Sequence, residues 1–160
     1  MRRAAWRFAL LFFGGLAAFS VFAAAVGVQN RLGPVERALA LAAAELARWA
    51  GGSPQILNGN LIVVSQATLL VNHECTGLFV MVVLGCFILA YPAPWRAKLL
   101  GLGFGLLLLS LVNVVRIATL VRVAEFYPGL LEYLHEYVWQ GVFLMLVTLY
   151  AMSWVERARA

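Results

Sequence analysis

Between Arg7 and Arg31 the chain carries no charged residue, and an apolar run from about Trp6 to Val28 fills that interval. A run of about 18 or more apolar residues is long enough to cross a bilayer. Inside the hydrocarbon no water can satisfy backbone amides, so such a run must be a helix or part of a closed barrel. Three more runs follow: Thr76 to Tyr91, stopped by Pro92-Ala93-Pro94; Lys98 to about Val121; and about Tyr137 to Trp154. Charged residues make up only 12% of the chain, about half of the ~25% a soluble domain carries. The pattern predicts one domain over residues 1–160 with an all-α integral membrane fold. About four transmembrane helices are expected, at 6–28, 75–91, 98–121 and 137–154, with an outer segment at 29–74.

Met1-Arg2-Arg3 before an apolar run also has the look of a secretory signal. The run exceeds the roughly 7–15 residues of a signal core, and Ala23-Ala24-Ala25 is its sole approach to a cleavage site. A retained helix is the better reading. The net charge of +5 does not imply nucleic acid, because the basic residues flank the apolar blocks, where they set orientation. With the N-terminus inside, Arg2, Arg3, Arg7, Arg96, Lys98, Arg157 and Arg159 are cytoplasmic, against Arg31, Arg37, Arg48 and Arg122 outside. Both termini are therefore expected inside.

The outer segment has its own signals. Pro34 suits a first helical turn, and Val35 to Ala50 reads as an amphipathic helix on the outer membrane surface, ended by Gly51-Gly52-Ser53-Pro54. Asn58-Gly59 between Ile56-Leu57 and Leu61-Ile62-Val63-Val64 signals a short β-hairpin leading toward Cys75.

On this topology Cys75 falls at the outer end of the second span, Arg116 near the outer end of the third, and His135 just before the fourth. Each has a plain alternative: a cysteine as a small buried hydrophobe, a histidine as an interfacial anchor, an arginine snorkelling to headgroups. Cys86 fits the first of these. If the two cysteines shared one continuous helix, about 16 Å of rise would separate them, beyond the roughly 7 Å reach of a disulfide. Cys75 differs from Cys86 in its polar surroundings, Asn72, His73, Glu74 and Thr76. A charge inside a span is costly and usually functional, and Asn113 and Ser110 continue a polar strip below Arg116. The three together suit nucleophilic catalysis: a thiolate attacks, His135 moves the proton, and Arg116 steadies the thiolate or an oxyanion.

Glu74-Cys75-Thr76-Gly77 resembles the E-C-[ST]-G signature of the exosortase/archaeosortase family. Asn113-Val114-Val115-Arg116-Ile117 resembles that family's N-x-x-R-[IV] motif, and His135 follows in the expected order. The resemblance spans about Gly59 to Trp154. It implies a bacterial or archaeal membrane cysteine transpeptidase without cofactor or metal, with Cys75 as nucleophile, Arg116 as transition-state stabiliser and His135 as acid/base. Asn72, Glu74 and Asn113 would support them. The implied partners are the lipid bilayer and membrane-anchored proteins with a C-terminal signal made of a short motif, a transmembrane helix and a basic tail. Four spans, against about eight in larger members, suggest a compact type such as the exosortase H group. Three other readings compete. One is a scaffold in which Arg116 pairs with Glu74, Glu125 or Glu132. The others are a thiol-redox enzyme using Cys86 and a metal site of His73, Glu74 and His135.

Overall fold

The computed structural model describes residues 2–65 and 67–159. The side chains of Arg2, Arg3 and Arg159, which the orientation count uses, lie outside the described set. The chain is mostly helical, and its contacts group it into two compact units. One comprises residues 1–28, 78–109 and 143–160, the other residues 29–77 and 110–142.

The first unit contains α1 (Arg2–Val26), α3 (Leu78–Ala90) and portions of α4 (Trp95–Phe126) and α5 (Trp139–Arg159). Helix α1 lies against α3, with Phe8 edge-on to Phe87 at 5.6 Å. A Cβ at Gly15 would stand 3.3 Å from the Cys86 sulfur, so that glycine gives the cysteine its room. Both cysteines are free. Further along, Gly101 and Gly105 occupy one side of α4, one turn apart. Tyr150 donates its hydroxyl to the Gly101 carbonyl at 2.6 Å, and Trp154 donates its indole N–H to the Ala97 carbonyl at 3.0 Å. Lys98 donates to the Leu89 carbonyl at 2.6 Å, tying the start of α4 to the end of α3 across the proline-containing link.

Among the described residues, three helices, Ala5–Val26, Trp95–Phe126 and Pro128–Ala158, are long and apolar enough to cross a membrane. Large apolar side chains such as Phe22, Phe104, Leu107 and Leu144 are exposed, as lipid-facing residues are. The span expected at 75–91 is instead a 13-residue helix, α3. It rises about 20 Å, short of the ~30 Å hydrocarbon core. Gly77, left-handed at φ 70°, prevents the helix from starting sooner, and Pro92 and Pro94 follow its end.

The second unit contains α2 (Gly33–Trp49), a small sheet and the rest of α4. Pro34 sits in the first turn of α2, Glu36 near its positive end and Arg48 near its negative end, the placements that suit proline and the helix dipole. Ala40, Ala43, Ala44 and Ala47 repeat at helical spacing and are all fully buried. Residues with a single methyl let backbones approach closely, and this stripe packs with Ile62, Ile117, Ala118, Val121 and Ala124. The apolar stripe of α2 therefore faces protein. That differs from a helix resting its apolar face on lipid, while Leu41 and Trp49 remain exposed. Where a two-stranded hairpin was expected, the sheet has three antiparallel strands in the order β1-β2-β3: β1 (Gln55–Leu57), β2 (Leu61–Val63) and β3 (Thr68–Leu70). Asn58 and Gly59, both at positive φ, turn the chain between β1 and β2. Ile62 pairs with Ile56 on one side and Leu69 on the other. Its side chain is fully buried in the core.

Candidate active site

The segment from Asn72 to Gly77 joins β3 to α3 and builds one short turn, a 3-10 helix over His73–Thr76. Asn72 has extended backbone, and its side-chain oxygen accepts the amides of Glu74 at 3.1 Å and Cys75 at 3.3 Å. This is the work of an N-cap, and the Cys75 amide also donates to the Asn72 backbone carbonyl at 3.0 Å. Thr76 donates its hydroxyl back to the His73 carbonyl at 2.7 Å. Gly77 then reverses the backbone in a region where a Cβ is penalised. Asn72, Thr76 and Gly77 thus shape the turn, leaving Glu74 exposed and Cys75 half-buried at its centre. Cys75 packs partly on the core of the second unit, and its thiol points to the Leu70 carbonyl at 4.0 Å.

Helix α4 brings the next two residues. Asn113 is fully buried and donates its side-chain N–H to the Cys75 carbonyl at 2.7 Å, across 38 positions of sequence. Arg116 follows one turn later, half-buried; burial weighs most on its charge, and Cys75 acts on it more weakly. His135 is partly buried, and after that burial the Arg116 guanidinium and the carboxylates of Glu136 and Glu74 are the charges that act on its imidazole. Among the described residues no hydrogen bond joins Cys75 to His135. Catalytic contacts in a substrate-free site are often long and tighten only on binding.

His135 was expected in the outer segment just before a span starting near 137. It lies instead inside a helical run that begins at Pro128 and continues to Arg159. Within that run, residues Leu134–Val138 form a π-helical turn. Such turns are rare and recur at functional sites, because the widened backbone re-aims its side chains. No local sequence signal marks this one. The expected residues Cys75, Arg116, His135, Glu74, Asn72 and Asn113 all fall in the second unit.

Other parts of that unit address the competing readings. Glu125, a proposed partner for Arg116, instead takes a charged hydrogen bond from Arg122 and accepts the Ser53 hydroxyl at 3.1 Å. No group of three or more His, Cys, Asp or Glu among the described residues is placed to hold a metal ion. A cavity of about 470 Å³ lies between α2 and α4, lined by Trp49, Ala118 and Arg122 among others. Ala118 and Arg122 project from the side of α4 away from Asn113 and Arg116, so this cavity is separate from the thiol.

These features define a membrane protein with a half-buried thiol on a capped turn, in the same compact unit as one half-buried arginine and an imidazole. A family model described as transmembrane exosortase (Exosortase_EpsH) matches residues 1–154, and the chain belongs to that family. No curated protein and no solved structure matches it. The family is, in general, one of membrane protein-sorting transpeptidases of the cysteine type.

Proposed function

We propose that this chain is a membrane-embedded cysteine transpeptidase acting on proteins that end in a short motif, a transmembrane helix and a basic tail. The observation that carries the reading is geometric: Cys75 sits half-buried at the centre of a capped turn, and its carbonyl is held by Asn113, one turn before Arg116 on α4. Cys75 attacks the scissile carbonyl carbon, and its proton passes to His135. The new S–C bond leaves an oxyanion, which the Arg116 guanidinium balances. Collapse breaks the C–N bond, and His135 returns its proton to the departing amine. The resulting thioester is resolved by an amine in transfer or by water in hydrolysis. Glu74 steadies the imidazolium formed on the way, and Asn72 holds the turn that carries the nucleophile.

The membrane supplies much of the alignment. A substrate helix beside the bundle, its basic tail held on the cytoplasmic side, sets the scissile bond at a fixed depth, and fixed geometry replaces a bimolecular search. The site faces outward in this reading, with both termini inside. The test is trapping in membranes with a candidate substrate. Wild-type chain should form a thioester-linked adduct at Cys75, while Arg116→Ala and His135→Ala should accumulate little. Processing that survives Cys75→Ala would sink the mechanism.

A further inference from the structure

We infer that Asn113 is a positioning residue: it fixes the backbone of Cys75 and thereby the direction of the thiol relative to Arg116. The inference rests on Cys75 being the nucleophile and adds the device that aims it. The amide N–H of Cys75 is held by Asn72, through its backbone carbonyl at 3.0 Å and its side-chain oxygen at 3.3 Å, and the Cys75 carbonyl is held by Asn113 at 2.7 Å. With both backbone groups held, rotation about Cα–Cβ is the main freedom left to the thiol. The orientation of the Asn113 carboxamide is itself determined, since turning it over would set oxygen against the Cys75 carbonyl oxygen.

The second observation is the other end of that side chain. Asn113 is fully buried, yet its Oδ1 has no hydrogen-bond partner among the described residues. A buried acceptor without a donor is unfavourable, and an apolar residue of similar size would carry no such penalty. Packing of α4 therefore has no use for the carboxamide, whereas the tether to Cys75 uses its donor end. Gly77 lies against the same group, where a Cβ would come within 3.5 Å of the Asn113 carboxamide carbon. The turn and the tether thus meet at one point.

The test uses the full chain in detergent on a Cys86→Ala background, so that Cys75 is the sole thiol, and measures the rate of maleimide alkylation. If Asn113 aims Cys75 at Arg116, Asn113→Ala and Arg116→Ala each slow alkylation about tenfold, and the double variant is no slower than the slower single, because the two losses are one interaction. On substrate, Asn113→Ala lowers kcat by a similar factor and leaves KM in place, since the tether does not touch substrate. Asn113→Asp keeps the shape and removes the donor. It should reproduce the loss, and it replaces the alanine variant if that one fails to accumulate. Alkylation of either Asn113 variant or of Arg116→Ala at the parent rate, or fully multiplicative slowing in the double variant, overturns the inference. Substrate processing by Cys75→Ala would remove the proposed reaction instead, and the alkylation cycle would still decide the role of Asn113.

Discussion

Helix α4 is one continuous element of 32 residues, yet its two halves are built on different principles. The half in the first unit exposes backbone: Gly101 and Gly105 leave the helix surface bare, and the aromatic rings of Trp154 and Tyr150 lie on it. Their polar tips end on helix carbonyls, so each ring is apolar along its length and satisfied at its end. The half in the second unit instead presents polar side chains, Asn113 and Arg116, beside the buried Ile117, Ala118 and Val121. One half uses the absence of side chains to pack. The other carries side chains that a packed helix in a membrane has no need of. The comparison teaches that polar groups on an apolar helix are informative where packing cannot explain them.

The sharpest way to break this contrast is to exchange the kinds of damage. Arg116→Ala should lower substrate processing by about 10²–10³, the usual range for loss of a group that stabilises transition-state charge. The protein should still accumulate in the membrane, which immunoblotting of membrane fractions checks. An Arg116→Ala chain that is absent from membranes would place arginine among the packing residues and erase the distinction.

The converse variant is Gly101→Ala. A Cβ there would collide with the indole nitrogen of Trp154 and stand 2.6 Å from the neighbouring ring carbon. The clash must be relieved by moving a ring that is itself hydrogen-bonded to Ala97. Overpacking of this kind costs about 1–3 kcal/mol, and thermal unfolding in detergent should register it. Per molecule of folded protein, processing should be little changed. Gly77→Ala lies between these two, because the methyl meets only ordinary contacts at Asn113 while the backbone at φ 70° disfavours any L side chain by about 1 kcal/mol. The strain falls on the turn that holds Cys75, so activity should drop more than stability does.

How much of this the sequence made legible follows the same division. The polar exceptions in an apolar chain, Cys75, Arg116, Asn113 and His135, stand out without any structure, because a charge or amide in a span needs a reason. Helix α2 is likewise readable from Pro34 at its start and Gly51-Gly52-Ser53-Pro54 at its end. Three things were not readable, each for a physical reason. The use of Gly101 and Gly105 depends on which helix lies against them, and apolar helices do not name their partners in their own composition. The π turn around His135 has no sequence signature. The length of α3 is decided by the backbone sign at Gly77, which an apolar count passes over. The thiol consequently sits on a capped 3-10 turn ahead of α3, where hydropathy alone had placed it at the start of a span.

Gly103 provides the finest test, because it shares the helix and the residue type of Gly101 and Gly105 but not their surroundings. A Cβ at Gly103 would meet nothing within 4 Å. If glycine in this half of α4 serves only to admit Trp154 and Tyr150, Gly103 is conformationally wasteful, and alanine there should be tolerated. Glycine inside a helix is worse than alanine by about 0.5–1 kcal/mol in water, and inside a bilayer the chain has less freedom to lose. Gly103→Ala should therefore unfold at the parent temperature or slightly above it. A loss comparable to that of Gly101→Ala would mean that a further surface packs on Gly103, one supplied by another molecule in the membrane, such as a second copy or the substrate helix. Unfolding measured with and without substrate would separate those two, since only the substrate helix makes the difference between Gly103→Ala and its parent depend on substrate.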